Sequence, residues 1–232
     1  MYKMYFNKKS NEDLNFSIIK RPSIGMAERN YTGIDIKGHD GKLYKSENLN
    51  DLEITIECNF INVNITEWHE QYRIIRSWLN NVKDNKLQLE DNAEWYYVVK
   101  KIQLDSFDRI YKVYGKFNLK FTVAPYMYYK NNNEIKLPNM INNAYDIAQP
   151  VYRIVGNGNC TLNINGNPID CNVNGQMTID IAHDKILEAD NTYSIGKTNI
   201  GDMSLLYLQN GINTFSYTSG FTVYITRNFR SI

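Results

Sequence analysis

Two kinds of hydrophobic periodicity divide this chain into predicted strands and one predicted helix. Apolar and polar residues alternate cleanly in 52–60 and 111–121, and more briefly in 34–37. A period of two is typical of strands with one buried face. One segment instead has the spacing of a helical face, with apolar residues at Trp68, Tyr72, Ile75 and Leu79. Asn64 followed by Glu67, or Thr66 alone, is a candidate cap for the start of this helix.

A polar turn at 38–41, with the sequence Gly-His-Asp-Gly, separates two apolar flanks and predicts a hairpin. The hairpin, from 33 to about 50, is long for one that packs wholly on its own domain. Its flanks contain apolar side chains that need cover. We therefore predict an arm that contacts an adjacent subunit through Ile36, Leu43 and Tyr44; the alternative is a plain hairpin folded on its own sheet.

The apolar stripe of the predicted helix is wider than one sheet requires. Ile74 and Trp78 extend it beyond the residues that face the sheet. A helix with such a stripe can pack on its own sheet and also touch a second surface. Ile74 and Trp78 are therefore further candidates for a subunit interface.

The second half of the chain has shorter predicted strands that alternate with turn signals. Strands at 151–155 and 160–164 flank a turn at 156–159, and Asn165-Gly166 is a hairpin turn. Such spacing is typical of a β-sandwich or barrel. Lys130 to Glu134 is polar and without periodicity, and 138–150 is either part of the same passage or an edge strand. We therefore divide the chain into an N-terminal domain (1–130), a linker (131–149) and a C-terminal domain (150–232).

Composition excludes some partners. The net charge is +1 without a long basic run, which argues against specific nucleic-acid binding. No apolar run approaches the roughly 20 residues that span a bilayer, and the N-terminus lacks a secretory signal, so we expect no membrane insertion. The 18 Tyr residues, the abundant Asn and only 5 Pro favour many strands joined by tight turns.

The sequence contains no recognisable catalytic or metal-binding constellation. The three histidines, His39, His69 and His183, have no metal-ligand spacing, and no nucleophile elbow or phosphate loop is present. Cys160 and Cys171 flank a predicted hairpin and either face each other or serve as small apolar residues. We predict no catalytic residue, no bound metal and no cofactor, and that the protein is not an enzyme.

Short phrases along nearly the whole chain, taken in order, resemble the siphovirus-type phage distal tail protein family. They are Phe6-Asn7, Arg21-Pro22, Ile36-x-Gly38-x-Asp40-Gly41-x-Leu43, Arg73-x-Ile75, Trp78-Leu79, Tyr96-Tyr97, Pro125-Tyr126, Pro150-x-x-x-Ile154-x-Gly156, Ile164-Asn165-Gly166, Thr178-Ile179-Asp180, Gly211-x-Asn213 and Asn228-x-Arg230-x-Ile232. Met203-Ser204 departs from the family pattern, which has an aromatic-proline pair there.

The resemblance implies a mainly β protein. Its N-terminal domain would be an α+β β-sandwich or split barrel with one helix and a hairpin arm, and its C-terminal domain a galectin-like β-sandwich. It further implies a homo-hexameric ring in the virion tail, assembled in the host cytoplasm, through which DNA passes. The ring would join the tail tube protein to the tail hub or tail-lysin protein and dock receptor-binding or baseplate proteins. The alternatives are a carbohydrate- or receptor-binding module and another tail tube or hub component.

Overall fold

A computed structural model describes residues 2–38, 40–62, 64–105, 107–109 and 113–232. His39 of the predicted turn and the start of the predicted strand 111–121 lie outside these residues. The chain divides into two compact units, one formed by Met1–Met127 with Ile232 and the other by Tyr128–Ser231. No helix of the described residues is long and apolar enough to cross a membrane.

The first unit is a β-sheet structure with a single α-helix among its described residues. Its strands are β1 (Met4–Phe6), β2 (Lys9–Ser10), β3 (Ser17–Ile18), β4 (Arg29–Asp35), β5 (Lys42–Leu49), β6 (Leu52–Ile61), β7 (Lys86–Leu89), β8 (Trp95–Leu104), β9 (Asp108–Arg109) and β10 (Tyr114–Tyr129), and the boundary between the units falls within β10. The main sheet has the order β2-β1-β7-β8-β10-β6-β3. The strands β4 and β5 form a separate two-stranded sheet.

The alternation in 52–60 predicted β6 correctly. Ile54, Ile56 and Cys58 are buried while the residues between them are exposed or half-buried, and β6 pairs with β10 from Leu52 to Ile61. The apolar segment 14–19 contributes only the short strand Ser17–Ile18, because Asn15 has a left-handed backbone with φ of 51° that interrupts extended structure. The core of this unit includes Met4, Phe6, Phe16, Phe60, Trp68, Ile75, Trp78, Leu87, Phe117, Leu119 and Phe121.

The predicted helix is α1 (Ile65–Asn80). The predicted cap at Asn64 is confirmed, since its Oδ1 accepts from the Glu67 N–H at 3.0 Å and its Nδ2 donates to Glu67 Oε1 at 2.8 Å. At the other end, Asn7 donates through Nδ2 to the carbonyls of Trp78 and Asn81, both at 2.9 Å. The helix is therefore closed at its C-terminus by a side chain from the start of the chain.

The second unit contains the strands β11 (Ile135–Lys136), β12 (Met140–Asn143), β13 (Val151–Ile164), β14 (Asn167–Asp180), β15 (Lys185–Glu188), β16 (Gly211–Tyr217), β17 (Thr222–Thr226) and β18 (Arg230–Ser231). Its sheet has the order β11-β17-β13-β14-β15, with β16 pairing both β12 and β13. Short 3-10 helices occur at Glu90–Asn92, Ile181–His183, Ile195–Lys197 and Met203–Leu206, the first of them in the first unit. The core of the second unit includes Tyr152, Ile154, Leu162, Ile164, Val173, Ile179, Ile186, Leu206, Val223 and Ile225. The mainly β fold, with one α-helix among the residues that the structure describes, agrees with the prediction.

The turn predicted at 156–159 is wrong, because β13 and β14 are paired without a break from Val151 and Asp180 to the turn between them. Gly156 and Gly158 have φ of 154° and 103° inside the strand, so their unusual backbone bends a continuous strand and does not end it. The hairpin turn at Asn165 and Gly166 is confirmed, and both residues have positive φ, at 54° and 86°.

The segment predicted as a linker, 131–149, belongs to the fold of the second unit. Its strands β11 and β12 pair with β17 and β16. Leu137, Ile141 and Ala148 are buried in the core of this unit. The sequence pattern did not reveal these strands for two reasons. The segment begins with a polar stretch, and strands of two to four residues are too short to show periodicity.

Candidate subunit interface

The hairpin predicted as an arm forms a sheet of its own. Strands β4 and β5 pair from Asp35 and Lys42 back to Arg29 and Leu49, with an irregularity between Arg29 and Tyr31. At the base, the Asn50 N–H donates to the Glu28 carbonyl at 2.8 Å. Among the described residues neither strand pairs with another strand of the structure. We call residues 29–49 the arm.

The arm exposes apolar side chains on both of its faces. Ile34 pairs with Leu43, so these two lie on one face, whereas Tyr44 pairs with Gly33 and lies on the other. The exposed fractions are 45% for Ile34, 57% for Leu43 and 66% for Tyr44. Ile36, which follows β4, is 44% exposed. The three arm residues predicted from the sequence are thus all accessible.

A two-stranded sheet of this kind is marginally stable in water when nothing covers it. The arm's residues are exposed throughout β4 and in all of β5 except half-buried Leu49. The Lys42–Asp35 ion pair at 3.6 Å is also exposed and contributes little. The arm exposes apolar groups on both faces and receives little support from its own unit. It is therefore suited to packing against another surface.

Of the two helix residues predicted for an interface, one is accessible and one is buried. Ile74 is 43% exposed and borders a groove of about 430 Å³, together with Lys8, Lys9 and Lys83. Trp78 is only 6% exposed; it packs edge-on against Phe6 and donates from Nε1 to the Phe6 carbonyl at 3.2 Å. The structure therefore places Trp78 in the core of its own unit, and we remove it from the proposed interface.

Sequence reasoning missed other exposed apolar residues. Tyr31 of the arm is 60% exposed, and no period-two pattern marks it in the sequence, because the next apolar residue, Ile34, is three positions away. In the second unit, Met140 and Ile212 are 59% and 67% exposed. The register Met140 to Thr214 and Asn142 to Ile212 places them on one face of the β12–β16 pair. They were missed because the segment containing Met140 looked like a linker.

The described residues contain no group of three or more His, Cys, Asp and Glu side chains that could hold a metal ion. His183 Nδ1 lies 2.8 Å from Asp180 Oδ2, in an exposed pair. Burial raises the pKa of the Cys58 and Cys160 thiols, which is opposite to the shift of a reactive nucleophile.

Comparison with known proteins identifies a matching family model and solved structures with a similar fold. Residues 9–123 match the family model of the phage tail protein RIFT-related domain. The crystal structure of the Dit protein of phage SPP1, described as a paradigm of the hub adsorption apparatus in phages that infect Gram-positive bacteria, is similar with a TM-score of 0.73 and 14% identity, covering 100% of this chain and 98% of that one.

A chain of the phage P2 baseplate in its activated conformation with Ca has a TM-score of 0.51 and 9% identity, covering 100% of this chain and 97% of that one. At such identities these similarities concern the fold. A comparison with functionally curated proteins finds no significant match.

Proposed function

This chain is a phage tail protein whose residues 9–123 form a RIFT-related domain, and from this we propose that it is a distal tail subunit that assembles into a homo-hexameric ring. The ring would join the tail tube to the tail hub or tail-lysin protein and dock receptor-binding proteins. The fold shared over the whole chain with the SPP1 Dit protein, which is described as a hub, supports this proposal.

The exposed arm is the observation on which ring assembly rests. A ring of identical copies requires head-to-tail contacts, in which one patch of each copy binds a different patch of the next. The arm is such a patch, because it exposes Leu43 and Tyr44 on opposite faces and pairs with no other strand of the described chain. We propose that the arm of one copy packs against the adjacent copy, with Ile36, Leu43 and Tyr44 as its apolar anchors.

The charge of the chain fits passage of DNA through the ring without specific binding. The formal net charge is +1. A protein that bound the phosphate backbone would need a basic face, and its affinity would depend steeply on salt. A ring of near-neutral subunits would let DNA pass through its channel without binding it tightly.

The test of the arm uses charge substitutions with a matched control. Leu43→Asp and Tyr44→Asp each place a carboxylate where an apolar anchor is proposed, whereas Asn48→Asp adds the same charge elsewhere on β5. Native mass spectrometry, with and without neighbouring tail proteins, is expected to show hexamers for the parent and Asn48→Asp and monomers for the two anchor variants.

The thermal unfolding temperature of each variant monomer should equal that of the parent monomer, because the side chains of Leu43 and Tyr44 are exposed. Rings that persist in both anchor variants, or variants that fail to fold, would show that the arm is not the contact. A particle structure with three-fold or two-fold copies at this position would contradict the hexamer itself.

For the docking of other tail proteins we propose the exposed face of the β12–β16 pair. Met140 and Ile212 lie diagonally across this pair, within reach of each other. Ile212→Asp is expected to abolish capture of the receptor-binding protein by the assembled ring and to leave the ring intact. Asn159→Asp, at an exposed position of β13 outside the β12–β16 pair, is the control for charge alone. Equal capture by both variants would exclude this face.

A further inference from the structure

Two of the three cysteines are direct cross-strand partners in the second unit. Cys160 of β13 is opposite Cys171 of β14. Each is 1% exposed, and both are free thiols. Because directly opposed residues of an antiparallel pair project from the same face, both sulfur atoms lie on the buried side of the hairpin. The sequence left open whether the two residues face each other, and the register shows that they do.

The surrounding hydrogen bonds show which type of antiparallel pair the two residues form. The Thr161 carbonyl accepts from the Thr218 N–H at 3.1 Å, and the Thr161 N–H donates to Thr218 Oγ1 at 2.9 Å. The backbone groups of Thr161 therefore point away from β14, and those of Cys160, one residue earlier, point toward it. Cys160 and Cys171 are thus a hydrogen-bonded pair, with a typical Cα separation of about 5.5 Å. Disulfides span Cα separations of about 4.4–6.8 Å.

We propose that Cys160 and Cys171 are a disulfide site, which closes when the protein meets a small-molecule disulfide such as oxidised glutathione. One cysteine thiolate attacks the sulfur–sulfur bond of the oxidant, which forms a mixed disulfide and releases one reduced glutathione. The second thiolate attacks the mixed disulfide at the protein sulfur and releases the other reduced glutathione. The two protein thiols lose two protons and two electrons, and both are recovered in the two glutathione thiols.

The environment of the pair controls when this reaction occurs. Burial, followed by the charge of the neighbouring Cys160, raises the pKa of the Cys171 thiol to about 12. Since the thiolate is the attacking species, the folded protein reacts slowly. The pair stays reduced in a compartment that maintains reduced glutathione and closes during folding or long exposure in an oxidising medium, such as a released virion meets. The cross-link ties β13 to β14 beside their turn and restricts the unfolded chain.

The test counts thiols in the full chain. The protein is incubated with oxidised glutathione in its native state, and a second sample is refolded from denaturant in a mixture of reduced and oxidised glutathione, so that access to the buried pair is not limiting. Thiols are then counted after denaturation, and the linked peptides are mapped. The reduced chain has three thiols. The refolded sample is expected to have one, with Cys160 linked to Cys171 and Cys58 reduced.

Two variants serve as controls. Cys58→Ser should still form the link, and Cys171→Ser should form no link within the chain. The linked protein should unfold several degrees higher than the same sample after reduction. Three thiols in the refolded sample, or a link that includes Cys58, would overturn the proposal.

Discussion

Asparagine side chains connect backbone segments at several places in both units. Asn11 is fully buried; its Oδ1 accepts from the Met4 N–H at 2.9 Å and its Nδ2 donates to the Phe16 carbonyl at 3.1 Å. Asn213, also fully buried, bonds both the N–H and the carbonyl of Gln209 at 2.8 Å. The asparagine content of this chain thus has structural uses beyond turns, since an amide can satisfy donors and acceptors together.

Removal of the Asn11 amide should destabilise the first unit. Asn11→Ala leaves the buried Met4 N–H and Phe16 carbonyl without their partner, and each such loss costs about 1–3 kcal/mol. We expect the free energy of unfolding to fall by about 2–5 kcal/mol, measured by urea denaturation. Asn80→Ala, at an exposed helical position, is the control and should change it by less than about 0.5 kcal/mol. Equal stability of the two variants would show that the amide network is not needed.

The close approach of Phe221 to Gly156 predicts a second effect on the free energy of unfolding. A Cβ on Gly156 would lie 2.3 Å from Phe221 Cδ1, and the φ of 154° is itself unfavourable for other residues. Gly156→Ala should therefore lower the free energy of unfolding by about 2–4 kcal/mol. In the background of Phe221→Ala the same change should cost less, because the clash is gone and only the backbone term remains. A double-mutant cycle measures the difference, and strict additivity would contradict the proposed clash.

At the scale of elements, the arm and the long strands have opposite roles. The strand β10 pairs with β6 from Tyr114 to Val123, and its Phe117, Leu119 and Phe121 are buried. The arm has regular pairing of its own but buries almost nothing. Pairing alone therefore does not make an element part of the fold; burial of one face does.

Deletion of the arm should separate assembly from folding. The Asn50 N–H and Glu28 carbonyl are already 2.8 Å apart, so residues 29–49 can be replaced by a short glycine-containing turn. The variant should unfold at the same temperature as the parent monomer, and native mass spectrometry should show no ring. A markedly lower unfolding temperature would mean that the arm supports its own unit.

At the scale of the whole molecule, the structure consists of two mainly β units, and the role we propose for them is assembly. The two hydrophobic cores are separate clusters, one in each unit. Among the described residues, apolar side chains are exposed on the arm, at Ile74 on the helix, and on the β12–β16 face. A structural subunit of a phage tail needs such surfaces and no catalytic group.

This view predicts a protein without metal and without hydrolytic activity. The histidines have no ligand spacing, and the described residues include no cluster of metal-binding side chains. Elemental analysis of the purified protein should show no stoichiometric metal, and a peptidoglycan-hydrolysis assay should show no turnover. Stoichiometric zinc, or hydrolysis that a single carboxylate substitution abolishes, would refute this prediction.

The sequence by itself determined the elements whose pattern is local. The alternation in β6, the helical spacing in α1 and the Asn165-Gly166 turn each follow from a few neighbouring residues, because side-chain direction repeats with the backbone. The hairpin arm was also visible, from a polar turn between apolar flanks. A local pattern indicates which side chains need burial.

Only the tertiary structure decided what covers those side chains. Trp78 and Ile74 both extend the apolar stripe of the helix, yet Trp78 packs on Phe6 and Ile74 remains exposed. Segment 131–149 joined the second unit through pairs with β16 and β17, which are distant in sequence. The register that sets Cys160 opposite Cys171 likewise depends on the whole length of β13 and β14. Several local sequence patterns are compatible with more than one arrangement. Pairing between strands that are distant in sequence, stabilised by the packed core, decides which arrangement forms.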